Sequence, residues 1–126
     1  MRAARIPAFL LLALAVLALA HSAAMERRCR GWLETVAQAE AAAARERWEE
    51  ADRLLEDLER DWDGCRVLMR TTVCHESLNQ ARVLLGQARL RCRLRDAPET
   101  RAALAELEAQ LRQIAADERL SWENIL

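Results

Sequence analysis

Tyrosine and lysine are absent from this 126-residue chain, which contains one phenylalanine, three glycines and two prolines. Aromatic residues favour strands, and glycine and proline mark the frequent turns of sheet-rich folds, so their scarcity argues against such a fold. A net charge of −1 excludes a strong overall attraction to nucleic acid or anionic lipid. The 52% hydrophobic and 31% charged residues are instead typical of helices with one apolar face.

Charged side chains are also missing from the run Ile6–Met25. As a helix, these 20 residues span about 30 Å, the thickness of one hydrocarbon core. We expect residues 1–25 to form an uncleaved signal-anchor or transmembrane segment. A cleaved signal peptide is the main alternative, because Arg2 and Arg5 precede the run and Ala18-Leu19-Ala20 offers a small-x-small cleavage site. A buried core helix is the third.

The arginines that flank this segment bear on its orientation. Arg2 and Arg5 precede it, and Arg27, Arg28 and Arg30 follow closely, so the positive-inside rule is nearly balanced. A short leading tail stays readily in the cytoplasm. We therefore expect a single-pass protein of the cell membrane with its N-terminus inside and its C-terminal domain outside the cytoplasm.

Beyond the apolar run, hydrophobic residues recur at alternating steps of three and four, as in helices that bury a narrow stripe. The four series are Cys29, Leu33, Val36, Glu40 and Ala43; Trp48, Ala51, Leu55, Leu58 and Trp62; Cys74, Leu78, Ala81, Leu85, Ala88 and Cys92; and Thr100, Leu104, Leu107, Leu111 and Ile114. The first is the poorest. The pattern predicts an all-α fold over residues 26–118, an antiparallel helical bundle or hairpin array with coiled-coil packing.

Three short stretches predict where these helices end. Arg45–Trp48 interrupts an alanine run, Asp63-Gly64 offers a stop, and Asp96-Ala97-Pro98 combines an N-cap with an early proline. Because the links between helices are short, we expect consecutive helices to be antiparallel.

If consecutive helices are antiparallel, the start of the first and third helices and the end of the second and fourth helices lie at the same end of the bundle. We expect this end, or pole, to face the membrane. This pole would hold the tail 119–126 together with Cys29, Cys65, Cys74 and His75, whereas Cys92 would lie alone at the opposite pole. We expect the tail side chains Trp122, Ile125 and Leu126 to dock on the membrane-facing end of the bundle, or Trp122 to lie at the lipid interface. A tail that binds a partner is the alternative.

The four cysteines leave two interpretations open. In an exported chain, a disulfide between Cys65 and Cys74 would close the shortest loop across a helix connection and add about 2–3 kcal/mol. Alternatively, all four thiols are small buried apolar groups. A zinc site of Cys29, Cys65, Cys74 and His75 is a weaker hypothesis, because no Cys-x-x-Cys spacing is present. We expect no bound metal.

No catalytic constellation is visible, and we expect neither an enzyme nor a cofactor. His75 has no paired nucleophile or acid nearby in the sequence, which favours a structural contact over a general base. Near a helix C-terminus, an arginine-rich stretch is more simply a solvated face than a phosphate or nucleic-acid site. Its members are Arg89, Arg91, Arg93 and Arg95. We expect no nucleic-acid partner.

Several stretches resemble one known family: "RWEEADRLLEDLERDW" (47–62), His75, "AALAELEAQL" (102–111) and the terminal "WENIL". The sequence is similar to domain-of-unknown-function family 4363, small bacterial proteins with an N-terminal membrane segment and a helical domain that ends in Asn-Ile-Leu. The resemblance covers nearly the whole chain. It implies a single-pass, envelope-associated helical protein and no activity. The four cysteines and Arg47, where a capping Asn is more usual, depart from the family pattern, so the resemblance says nothing about the thiols.

The preferred functional hypothesis is an interaction or accessory subunit at the cell envelope, which binds another envelope protein or a second copy of itself. Its first helix would leave an apolar surface uncovered, because Glu40 degrades the first series. The small residues Ala37, Ala39 and Ala41–Ala44 would let a partner helix approach closely. The alternatives are a structural envelope protein without a stable partner and a thiol redox or metal-binding protein.

Overall fold

Four helices account for nearly all of the described chain. The computed structural model describes residues 2–69 and 75–125, and for residues 2–4, 68, 121, 122 and 125 it describes the backbone alone. The helices are α1 (Arg2–Ala44), α2 (Trp48–Met69), α3 (His75–Arg93) and α4 (Ala97–Ile125). No strand occurs in the described ranges, so the predicted all-α class is confirmed.

Two of the expected segment boundaries fall inside helices. α1 is a continuous helix of 43 residues that runs through the expected boundary between residues 25 and 26. α4 likewise runs through the boundary between residues 118 and 119 and continues to Ile125. The apolar segment therefore shares one helix with the bundle, and the backbone of the expected tail is the last part of α4.

The two described connections are turns of three residues each. Glu46 after α1 and Arg95 after α3 adopt left-handed conformations, with φ of 60° and 57°. A residue in this conformation commonly ends a helix, because it lets the following N–H groups bond the last carbonyls. Asp96 Oδ1 then accepts a hydrogen bond from the Glu99 N–H at 3.3 Å. The predicted break near Arg45 and the predicted cap at Asp96 are thus both present.

The expected helix stop at Asp63-Gly64 is wrong, because α2 continues to Met69. A glycine inside a helix costs about 1 kcal/mol relative to alanine. The extra turns bury Cys65 and Met69, which continue the three-and-four series of the helix. Full burial of a methionine side chain alone contributes about 1.5–3 kcal/mol, which exceeds the cost of the glycine.

The series predicted for α2, α3 and α4 form the core of the bundle. Their buried members are Ala51, Leu55, Leu58 and Trp62; Leu78, Ala81, Leu85, Ala88 and Cys92; and Thr100, Leu104, Leu107, Leu111 and Ile114. Trp48 is partly buried against this core, and Cys74 lies outside the described residues. Because each helix buries a single stripe, its opposite face is left for charged residues.

The series predicted for the first helix is wrong at two of its five positions. α1 buries Trp32 and Ala39 where the sequence analysis placed Leu33 and Glu40. The buried stripe of α1 consists of Met25, Cys29, Trp32, Val36, Ala39 and Ala43, which again alternate steps of four and three, and Ala42 is buried beside it. This stripe buries a large indole and leaves the glutamate carboxylate out of the core, where it would cost several kcal/mol without a partner.

Half of the α1 alanines that were expected to form an uncovered surface are covered by the bundle itself, so this expectation is wrong for those three. Ala39, Ala42 and Ala43 are buried, and Ala37, Ala41 and Ala44 are exposed. The buried alanines face neighbouring helices, with Ala42 near Leu54 of α2 and Ala43 near Leu104 of α4. Their small size allows α2 and α4 to approach α1 closely at this end.

The helices form an up-down-up-down bundle. Each packs against the next in the chain, and α4 packs against α1 and closes the bundle. The core begins at Met25. Before it, the large apolar side chains of α1 are more than half exposed: Ile6, Phe9, Leu10, Leu11, Leu12, Leu14, Val16, Leu17 and Leu19. Among the described helices, α1 is the one that is long and apolar enough to span a membrane.

Ion pairs join α2 to α3 along one edge of the bundle. The α2 carboxylates Asp52, Glu56, Glu59 and Asp63 face the α3 guanidinium groups of Arg82, Arg89 and Arg93. Arg89 is central: its Nε is 3.1 Å from Asp52, and its Nη1 is 3.2 Å from Glu59. Burial lowers the pKa of Arg89, but hydrogen bonds to these two carboxylates raise it further, so that the net shift is upward.

The expectation of a fully solvated arginine face is therefore wrong for Arg89. Its side chain is 18% exposed, because it lies between α2 and α3, whereas Arg91 and Arg95 are exposed. The periodicity of α3 alone places Arg89 beside the buried stripe. The carboxylates that hold it are contributed by the neighbouring helix.

We expect Arg89→Ala to lower the free energy of unfolding by about 1–3 kcal/mol, because the partly buried carboxylates of Asp52 and Glu59 lose a charged hydrogen-bond donor. Arg112→Ala is the matched control, since Arg112 is 65% exposed and pairs with Glu108 within one helix. That change is expected to cost less than about 0.5 kcal/mol. Denaturant titration followed by circular dichroism measures both, and equal losses would contradict the assignment.

Candidate functional site

One end of the bundle gathers most of the polar and thiol groups that the sequence singled out. We call it the proximal pole; it comprises residues 21–32 of α1, 61–69 of α2, 75–82 of α3 and 110–119 of α4. Side-chain contacts between these segments hold it together. It lies next to the apolar half of α1, so any function linked to a membrane would use this end.

Trp32 is the centre of the contact between α1 and α2. Its ring centroid lies 4.9 Å from that of Trp62 in a tilted arrangement, which is favourable for aromatic pairs. The Trp32 Nε1–H donates a hydrogen bond to Asp61 Oδ2 at 2.6 Å. A buried indole N–H needs such an acceptor, so this bond fixes how α1 is rotated against α2.

The Cys65 thiol lies beside Arg28 in the same interface. The Arg28 guanidinium donates a hydrogen bond to Cys65 Sγ and is 3.9 Å from Asp61. Burial raises the pKa of Cys65, the Arg28 charge opposes this, and Asp61 raises it again; the net shift is upward. The thiol therefore remains protonated near neutral pH.

α1 and α4 enclose a cavity of about 130 Å³ at the proximal pole, lined in part by Ser22, Met25, Cys29, Ala115 and Glu118. Glu118 is 6% exposed, and its Oε1 lies 3.8 Å from His21 Nε2. At the mouth of the cavity, Arg119 Nη2 is 3.2 Å from Glu26 Oε1. The two pairs align α4 with the start of the bundle-forming part of α1.

Cys29 faces this cavity from α1. Burial raises its pKa to about 11, with additional contributions from the negative charges of Glu118 and Glu26. The thiolate is the form that attacks electrophiles and binds metals, and a raised pKa makes it scarce at neutral pH. This environment favours an inert, space-filling thiol.

The other predicted thiol and metal residues are placed as follows. Among the described residues, Cys29, Cys65 and Cys92 form no disulfide with one another. Cys92 lies at the far end of the bundle, 3.6 Å from the Trp48 carbonyl oxygen. Cys74 lies outside the described residues, so the Cys65–Cys74 disulfide stays a prediction.

His75 is exposed at the start of α3, where it borders a small cleft near Trp62 and Met69. Within residues 2–69 and 75–125, no group of three or more His, Cys, Asp or Glu side chains is arranged to hold a metal ion. The proposed four-residue zinc set also needs Cys74, which the structure does not describe. The described part of the pole therefore supplies helix contacts and protonated thiols.

The expected docking of the terminal segment concerns residues at the edge of the description. The backbone of Trp122 and Ile125 belongs to α4, but their side chains and all of Leu126 lie outside the described residues. Docking of these three side chains thus stays a prediction. The helix that carries them runs beside α1, as the Arg119–Glu26 pair shows.

Glu118 and His21 are the pole residues that sequence reasoning missed. A signal for Glu118 was present, because it continues the spacing of Leu107, Leu111 and Ile114 in α4. The predicted series of the fourth helix ends at Ile114, because only apolar residues were used to extend it. His21 gave no periodic signal of its own, since it lies within an almost uniformly apolar run.

Comparison with known proteins gives a family without an assigned role. The model of the family described as "Domain of unknown function (DUF4363)" matches residues 19–125, so the chain belongs to this family. The match begins within the apolar half of α1 and includes the whole bundle. No curated protein and no solved structure matches the chain.

The Cys29 environment predicts how stability depends on pH. In the unfolded chain the thiol ionises near its ordinary pKa of 9.0, and in the folded chain only near 11. The contribution of the protonated Cys29 thiol to the free energy of unfolding is therefore complete below pH 9. It is lost as pH rises toward 11, because the thiol loses its proton at lower pH in the unfolded chain than in the folded chain. We expect the unfolding midpoint of the wild type to fall more steeply over this interval than that of Cys29→Ala.

The same environment predicts slow alkylation. Iodoacetamide at pH 8 should label Cys29 slowly in the folded chain and rapidly in denaturant, as measured by mass spectrometry of peptides. Rapid labelling of the folded chain, or parallel pH profiles for the wild type and Cys29→Ala, would show that the thiol is neither buried nor shifted.

Proposed function

We propose that this member of the DUF4363 family is a single-pass protein of the cell membrane that acts as an interaction or accessory subunit for another envelope protein. Its helical bundle would stand outside the cytoplasm. The observation that carries the proposal is the division of α1 into two halves. One half is apolar and exposed before Met25, and the other half packs inside the bundle.

The exposed half of α1 supports a membrane span. Phe9 is 72% exposed, and its large neighbours are uncovered on every side of the helix. A helix that is apolar all round requires apolar surroundings, which a bilayer provides. No Asp, Glu or Arg lies between Arg5 and Glu26.

The continuity of α1 supports a tether that does more than hold the bundle near the membrane. The same helix carries the apolar stretch and one wall of the core, without a break between them. A flexible linker would let the bundle rotate freely, whereas a continuous helix fixes its orientation relative to the bilayer. Such an orientation suits a subunit that presents one face to a neighbour in the same membrane.

α3 offers a face for that neighbour. Val83 and Leu90 of α3, and Leu94 in the turn that follows it, are each more than half exposed. Val83 and Leu90 are seven residues apart, which places them on one side of the helix. Leu85 and Cys92 of α3 point instead into the core. Scattered single apolar residues are normal on a surface, whereas exposed apolar residues that share one side of a helix are candidates for a contact with a partner.

The thiol redox and metal-binding hypothesis has weaker support. The pKa values of Cys29 and Cys65 are raised mainly by burial, which disfavours the reactive thiolate. A structural envelope protein without a partner remains the alternative that the partner experiment addresses.

The membrane span predicts that the wild-type chain stays in the membrane pellet after alkaline carbonate extraction and keeps its full-length mass. Leu12→Arg places a charge in the middle of the apolar stretch, at a cost of about 2.5–3.5 kcal/mol on insertion scales, and should move part of the chain to the supernatant. Leu94→Arg, at the far end of the bundle, is the control and should stay in the pellet. Loss of a mass that matches residues 1–20 would identify a cleaved signal peptide instead.

The interaction role predicts a specific partner in detergent extracts of the native membrane. Capture with the tagged wild-type chain should recover it, and the Val83→Ser/Leu90→Ser double variant should recover several-fold less, because the apolar contact is lost. Val67→Ser is the matched control, since Val67 is exposed on α2 away from this stripe. If no specific partner is recovered by the wild type, the structural alternative is favoured.

A further inference from the structure

We propose that the last two turns of α4 enter the lipid bilayer beside α1, so that the chain contacts the membrane with one helix that spans it and a second that ends within it. The partner at this surface is the phospholipid of the leaflet on the side of the bundle. This inference rests on the proposed membrane span of α1, and it concerns a part of the molecule that the span alone does not involve.

The alignment of α4 with α1 is the first step. Arg119 of α4 pairs with Glu26 of α1 at 3.2 Å, and Glu118 lies 3.8 Å from His21. These pairs place the start of this α4 segment level with residues 21–26 of α1. Because the two helices are antiparallel, the α4 residues that follow lie beside the α1 residues that precede this level. Those α1 residues are the apolar stretch that is proposed to cross the membrane.

The length of α4 beyond this point is the second step. The helix continues from Glu118 to Ile125, seven residues further, which corresponds to about 10 Å along its axis. If the helix ended at Glu118, it would stop where the apolar stretch ends. The additional turns carry it past that level.

The thickness of the bilayer is the third step. From Ile6 to Ala20, α1 offers 15 residues, or about 22 Å, whereas a hydrocarbon core is about 30 Å thick. To cover 30 Å the span must extend to about Met25. With the span ending at about Met25, Glu118 is level with the boundary of the hydrocarbon core of the bilayer. Residues 119–125 then lie on the hydrocarbon side of this boundary.

The composition of the α4 end suits this position. Leu120 is 56% exposed, although it is a large apolar residue next to the pole. The sequence that follows includes Trp122, Ile125 and Leu126, and tryptophan is enriched at membrane interfaces. The one acid after Arg119 is Glu123. Side chains of a helix tilt toward its N-terminus, which in α4 is the direction of water, so this carboxylate reaches back toward the headgroups.

The charged groups near the boundary of the hydrocarbon core are paired or turned toward the protein, which is compatible with lipid around the two helices. Glu118 is almost fully buried between α1 and α4 and faces His21, so its carboxylate is shielded from the acyl chains. Arg119 and Glu26 neutralise each other at the level of the boundary. Ionisable residues at membrane depth typically pair in this way and face the protein interior.

The experiment uses depth-dependent fluorescence quenching of the full chain in phosphatidylcholine vesicles. Leu11→Cys, Leu120→Cys and Leu94→Cys are each made in a Cys74→Ala background and labelled in the folded state with a small environment-sensitive maleimide. The background chain without an added cysteine gives the residual labelling of the buried thiols. All three leucines are exposed, so the core is unaffected, and circular dichroism verifies the helix content.

The vesicles contain lipids brominated either near the headgroup or near the chain ends. The inference expects the probe at residue 120 to be quenched mainly by the shallow bromines, the probe at 11 mainly by the deep ones, and the probe at 94 by neither. A quenched probe at 11 with a probe at 120 that behaves like the one at 94 overturns the inference and leaves the span intact. An unquenched probe at 11 overturns the proposed span itself.

Discussion

Burial of one face of α1, from Met25 to Ala43, is the interaction on which the rest of the structure depends. This face contacts both α2 and α4, so it closes the bundle. The same helix continues as the apolar stretch, and no turn or break separates the two halves of α1. If this face were not buried, the bundle would lose a wall and the apolar stretch would lose its fixed direction. Packing of the core and the direction of the apolar stretch are therefore one physical problem in this chain.

Polar contacts between the helices decide how the apolar stripes are aligned. A stripe of alternating steps of three and four looks similar after a shift of one heptad, so apolar packing alone tolerates several alignments. The Arg89 cluster ties α2 to α3 at one height, and the Trp32–Asp61 hydrogen bond ties α1 to α2. The Arg119–Glu26 pair does the same for α4 and α1. We regard these pairs as sources of specificity, since partly exposed ion pairs add little stability on their own.

The buried residues of a helix could be predicted where its sequence contains one clear series of apolar residues at steps of three and four. In α2, α3 and α4 one series of apolar residues is clearly the best, and these residues form the core. In α1 two neighbouring series compete, one through Leu33 and Glu40 and one through Trp32 and Ala39. The choice between them depends on which faces α2 and α4 present. The stop expected at Gly64 was wrong for the same reason, because the stability gained by continuing α2 to Met69 depends on the surface that these residues contact.

The helical class, the position of the apolar stretch and the capped turn at Asp96 could be predicted from the sequence, because they depend on residues close together in the chain. Packing between the helices is what places Cys29 beside Glu118, surrounds Arg89 with carboxylates, and lets α4 extend beside the apolar half of α1. Such contacts join residues far apart in sequence. They depend on the alignment of packed helices, which local periodicity does not specify.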